Sequence, residues 1–192
     1  DSKTNKESIV RVFNKVFDEM QGFCGSLSWL AELERQLQKE GTYEAFQNKY
    51  AELAGKSWVG SRDDYYFEED NIVKALAETT RMSIDSARRW YERGEENYSL
   101  SVEKFANKVK EYIESKGREH HVIFLVDEMG QYIGDDTGLM LNLQTVVEDL
   151  GTYCGGKVWV LVTSQQEIDT VTRVKGEDFS KILGRFNTRL SL

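Results

Sequence analysis

The 192-residue sequence contains no proline. That absence removes the strongest helix breaker and favours long uninterrupted helices in the first half. Cysteine is nearly absent too. Cys24 and Cys154 sit in unrelated contexts, which argues against a disulfide framework and suits a reducing cytoplasm. No apolar run approaches the roughly 20 residues that a membrane helix needs, and no signal-peptide pattern opens the chain. Basic residues are the minority, 25 Lys and Arg against 33 Asp and Glu for a net charge of −8, which argues against a dedicated nucleic-acid surface. No repeat of constant period is present, which argues against a solenoid. What remains is a globular composition, 40% hydrophobic and 30% charged, long enough for one sizeable core or two small ones. The opening at Asp1 without a Met suggests a piece of something longer.

Up to Gly117 the sequence reads as helix. Ile9, Val10, Phe13, Val16, Phe17 and Met20 recur at helical spacing, with Gly22 as a stop. Ser28 can cap a second helix carrying Trp29, Leu30, Leu33 and Leu37, which Gly41 follows. Thr42 can cap a third, with Phe46, Tyr50 and Leu53 on one face before Gly55. A fourth carries Ile72, Val73 and Leu76. Ser83 opens a fifth, holding Ala87, Trp90 and Tyr91 and ending at Gly94. Ser101 caps the last, with Phe105, Val109, Tyr112 and Ile113 before Gly117. Each has one apolar stripe and one charged face, so they are expected to pack together as a helical subdomain over 1–117.

Beyond Gly117 the pattern changes. HVIFLV (121–126) is a continuous apolar run rich in β-branched residues, as in a strand buried on both faces. GLMLNLQTVVEDLG (138–151) reads as helix, KVWVLVTSQ (157–165) as a second buried strand, EDFSKILGRF (177–186) as helix, and RLSL (189–192) as the start of a third strand. Alternating strand and helix implies a parallel sheet with right-handed crossovers, in which ligands gather at the carboxyl ends of the strands. Asp127, Glu128, Thr163 and Ser164 all fall there. A buried strand aims its last residues rigidly. An Asp at that place can hold magnesium through water, and the neighbouring Glu can polarise an attacking water. Thr163 or Ser164 can contact the same water or a γ-phosphate. The plainer alternative is that Asp127 and Glu128 begin a solvated loop and the hydroxyls cap the next helix.

Such a site needs a cradle for phosphates. AGKSW (54–58) ends like a phosphate loop, G-x-x-x-x-G-K-[ST], but the first glycine is replaced by Tyr50 and the preceding residues are amphipathic helix. Gly55 is better read as a helix C-cap with Lys56 near the negative end of the dipole. The phosphate loop is therefore expected outside this chain. Further on, the arginines of LGRFNTRLSL can reach a neighbouring subunit's nucleotide and stabilise transition-state charge.

These elements resemble those of the AAA+ ATPases. The Asp-Glu strand is similar to their Walker B, VTSQ to sensor 1, and GRFNTRL to the G-R-F-D-R element near their arginine fingers. Arg185 is the better match and Arg189 the second. This chain has Ile182 where a further arginine is frequent, and Asn187 where an aspartate is usual. A likeness over nearly the whole chain is to the BREX phage-resistance ATPases of the BrxC/PglY type, carried by the run from Val126 to Asp169, by DFSKILGRFNTRLSL, and by ERQL, GKSW, RDDYYF and EENYS upstream.

The resemblance implies a partial P-loop, AAA+-like α/β sheet over 118–192, preceded by the all-α subdomain. It also implies a cytoplasmic ATPase using ATP and Mg2+, with Asp127 on the metal side, Glu128 as base, Thr163 or Ser164 as sensor, and Arg185 or Arg189 as trans-acting finger. Self-association through the ATPase interface, other BREX components as partners, and indirect DNA association are further expectations. The alternative is a non-catalytic helical interaction module on a degenerate α/β core.

Overall fold

The computed structural model describes residues 8–129 and 136–163. In chain order these form α1 (Ser8–Met20), α2 (Ser28–Lys39), α3 (Tyr43–Ala54), α4 (Trp58–Ser61), a 3-10 helix (Arg62–Phe67), α5 (Glu69–Thr80), α6 (Ile84–Asn97), α7 (Val102–Lys116), β1 (Val122–Val126), α8 (Thr137–Cys154) and β2 (Val158–Val162). The result is a mostly helical chain with a small parallel sheet. The helix and strand expected at 177–186 and 189–192 lie outside the described residues. None of the described helices is long and apolar enough to cross a membrane.

Secondary structure does change at Gly117, whose φ of 108° ends α7. Among the described residues, 14–99 form one compact unit, and 8–13 with 100–129 and 136–163 form the other. The buried stripe of α7, Phe105, Ala106, Val109 and Ile113, belongs to the α/β unit.

The helical unit has its own core, built on Trp29, Leu30, Leu37, Phe46, Tyr50, Trp58, Ile72 and Leu76. A carboxylate stands at its centre. Glu34 is fully buried, and its two oxygens accept from the Cys24 amide at 2.6 Å, the Tyr43 hydroxyl at 2.8 Å and the Trp58 indole at 2.7 Å. Arg62 Nε lies 2.8 Å away as the counter-charge. A buried carboxylate is tolerated only when paired and saturated with donors, and this one is both. It ties α2 to the loop before it, to α3, to α4 and to the 3-10 helix. Burial, and then the Glu34 charge, push the Tyr43 hydroxyl well above the usual tyrosine range, so it stays a donor at neutral pH. A second pair, Arg35 with Asp18 at 2.5 Å, is likewise buried, and Asn14 donates to the same carboxylate at 2.8 Å.

Local expectations mostly hold, with instructive exceptions. Ser83 caps α6 by accepting from the Ser86 amide, and Ser101 caps α7 by accepting from Lys104. Ser28 does not cap α2. Leu27 holds the cap position, and the Ser28 hydroxyl instead accepts from Asn14. Thr42 sits at the cap of α3, but its hydroxyl donates back to the Leu37 carbonyl. Val16 and Met20, expected in the buried stripe of α1, are 51% and 53% exposed, because the polar Asn14 and Asp18 take the buried positions beside Phe17. The helix α6 runs through Gly94 to Asn97. Gly94 is not a stop but a close approach: a Cβ there would stand 2.7 Å from Trp29 Cε3.

In the α/β unit, Ile9, Val10 and Phe13 of α1, Val122 and Phe124 of β1, and Leu143, Val146 and Leu150 of α8 are all buried. Phe13 meets the Phe124 ring at 5.0 Å between centroids and Phe105 at 6.3 Å. Strands β1 and β2 pair in parallel, as expected, in the register Val122↔Val158 through Val126↔Val162. Among the described residues neither strand is buried on both faces, which differs from the expectation from their unbroken apolar runs. Ile123, Leu125, Trp159 and Leu161 are 48–79% exposed among the described residues. They share one face, since the side-chain period along a strand is two. The other face holds Val122 and Phe124.

Replacing an interior helical glycine by alanine ordinarily stabilises by about 1 kcal/mol. At Gly94 the sign should reverse, because overpacking a buried ring costs about 1–3 kcal/mol. Gly94→Ala is expected to unfold at lower denaturant than the parent. An equal or higher midpoint would show that Trp29 yields freely.

Candidate functional site

The parallel register brings the carboxyl ends of β1 and β2 to one edge, and backbone bonds extend the ladder past both strands. The Thr163 amide donates to the Val126 carbonyl at 3.0 Å, and the Met129 amide donates to the Thr163 carbonyl at 3.1 Å. Asp127 and Glu128 are the two residues between those anchors. Met129 fixes the far side through its side chain as well, which is only 6% exposed.

Side chains close the tip. The Thr163 hydroxyl donates to Asp127 Oδ1. The Glu128 amide is shared between Asp127 Oδ1 at 3.0 Å and Thr163 Oγ1 at 3.1 Å. Glu128 itself takes φ = 52°, the left-handed region that residues with a Cβ rarely occupy. All three residues are exposed. The structure therefore brings Asp127, Glu128 and Thr163 together as one solvent-facing cluster. Ser164, Arg185 and Arg189 lie outside the described residues.

Carboxylate and hydroxyl oxygens are the donor types that a hard cation takes. Among the described residues no group of three or more His, Cys, Asp or Glu could cage a metal. Magnesium is seldom caged by protein alone. It keeps several waters and takes one or two carboxylates plus substrate phosphates. Both hydrogen bonds to Asp127 fall on Oδ1, which leaves Oδ2 for a metal-bound water. The residues present fit that arrangement.

The GKS triplet is accounted for without phosphate. Gly55 is the left-handed C-cap of α3, with φ = 69° and its amide on the Ala51 carbonyl. Lys56 Nζ pairs with Glu68 at 2.8 Å, and that carboxylate holds the ammonium above the usual lysine range. Ser57 caps α4 by accepting from the Gly60 amide at 3.3 Å. Each residue has a structural duty. Two features of the tip were not foreseen from sequence: the anchoring by Met129 and the left-handed Glu128. The signal for the first is an apolar residue directly after Asp-Glu; no letter signals the second.

No protein-family model matches this chain, and no solved structure matches it.

Because Lys56 is held by Glu68 in a helical setting, the 192-residue chain is expected to show no micromolar ATP binding by calorimetry. Lys56→Ala should leave both that result and the unfolding midpoint essentially unchanged. Micromolar binding that disappears in Lys56→Ala would make 54–58 a phosphate loop after all.

Proposed function

We propose that this chain supplies the metal-side and water-activating half of an ATP-hydrolysing site in a larger AAA+-like ATPase of the BREX type. The observation that supports it is the hydrogen-bonded tip: two parallel strands in register deliver Asp127, Glu128 and Thr163 to one exposed edge. In this proposal Asp127 would hold Mg2+ through a water. The Glu128 carboxylate accepts a proton from the attacking water and holds it in line. When bound, Mg2+ neutralises charge on the phosphate oxygens. The phosphate cradle comes from chain outside these residues. Arg185, with Arg189 second, reaches from a neighbouring copy, so hydrolysis requires self-association. Cytoplasmic location, the other BREX components and indirect DNA association belong to the same proposal.

A second reading, a helical interaction module without catalysis, is favoured by one observation. Residues 14–99 close a core of their own.

Glu128→Gln separates the two. In the longer protein it removes the base and keeps the shape, so nucleotide binding should persist while turnover falls roughly a hundredfold or more. Near-normal turnover would contradict the catalytic assignment and leave the interaction module.

A further inference from the structure

We infer that Thr163 is a positioning residue for Asp127 and Glu128 and does not itself meet the nucleotide; the kinetic part of this inference rests on the ATPase proposal above. A threonine hydroxyl has one proton and two lone pairs. Here the proton is given to Asp127 Oδ1, and one lone pair receives the Glu128 amide at 3.1 Å. A phosphate oxygen only accepts hydrogen bonds. It could gain the Thr163 proton only by taking it from Asp127. The residue that the sequence offers as a γ-phosphate contact is therefore already committed within the protein.

Its commitment has a shape. Thr163 holds the tip at three places: its amide on the Val126 carbonyl, its carbonyl under the Met129 amide, and its hydroxyl between Asp127 and Glu128. The two backbone bonds clamp the residues on either side of the pair. The hydroxyl then sets the pair itself. It draws Asp127 Oδ1 inward, so that Oδ2 is the oxygen left to face a cation. It also receives the amide of a glutamate whose φ of 52° is unfavourable without such support. A β-branched side chain suits the task, because its restricted χ1 keeps the hydroxyl where both partners need it.

Two variants test this. Thr163→Val keeps the volume and both backbone bonds but removes the hydroxyl; Thr163→Ser keeps the hydroxyl. By NMR on the 192-residue chain, the Glu128 amide of the Val variant should exchange with solvent at least tenfold faster, and its one-bond Cα–Hα coupling should report loss of the positive φ. The Ser variant should stay near the parent, with the amides of residues 14–99 unmoved in both as the control for folding. A Val variant that keeps the slow Glu128 amide and the positive φ would overturn the inference. In the longer ATPase, the Val variant should lose kcat while its preference for ATP over ADP is unchanged. A preference that collapses would mean that Thr163 reads the γ-phosphate, and would also overturn it. Should the longer protein bind no nucleotide at all, the ATPase proposal fails, and the NMR comparison still decides the role of Thr163.

Discussion

A slip of one residue between β1 and β2 would carry Asp127 out of reach of Thr163 and turn every side chain of one strand to the opposite face. The register Val126↔Val162 is what the tip depends on, since Asp127 and Thr163 are simply the next pair along that ladder. Several contacts resist the slip. Val122 and Phe124 are buried on the face that packs in the unit's core, and Phe124 meets Phe13 at 5.0 Å and Phe105 at 6.0 Å. Shifting β1 would expose those rings and bury Ile123 and Leu125 in their place. Backbone bonds at both ends, Val122 to Lys157 and Thr163 to Val126, add a geometric stop. The position of the exposed carboxylates is thus set by apolar packing several residues away.

The helical unit is organised by the opposite device, a charge in the core. Glu34 gathers three donors and the Arg62 guanidinium. Four segments distant in sequence must be in place for it to be satisfied. Such a group specifies one arrangement more than it stabilises it: breaking a buried pair by removing one partner costs about 3–5 kcal/mol, whereas a well-packed apolar replacement of the whole set can be neutral. Residues 14–99 therefore hold a defined arrangement on their own contacts.

How much of this was legible follows the physics of each signal. Caps that use a short polar side chain and a nearby amide, such as Ser83 and Ser101, are local and read correctly. Gly55 read correctly because a left-handed C-cap is local too. Gly94 misread because its reason is Trp29, about sixty-five residues away, and long-range packing leaves no mark in a short window. Glu34 was not singled out from the sequence as a core residue. Its position could have found it, four residues after Leu30 and three before Leu37, on the stripe that those leucines bury. The sheet misread differently. An unbroken apolar run states what a strand can bury, not what covers it, and among the described residues Ile123, Leu125, Trp159 and Leu161 face outward. The parallel pairing was legible because two such runs joined by one helix permit little else.

If the Asp127–Glu128 tip meets a nucleotide-bound cation, as proposed, the cation itself can report it. In the longer protein, Mn2+ replaces Mg2+ with ATP, and the threonine methyl resonances are followed by NMR, with Thr163 assigned by the signal lost in Thr163→Ser. Thr163 donates to Asp127, the carboxylate proposed to lie beside the metal. Its methyl resonance should broaden selectively when ATP and Mn2+ are both present and sharpen again when excess Mg2+ displaces the manganese. A Thr163 resonance that keeps its width while the protein is saturated with ATP and Mn2+ would contradict the account, because the cation would then lie away from this tip.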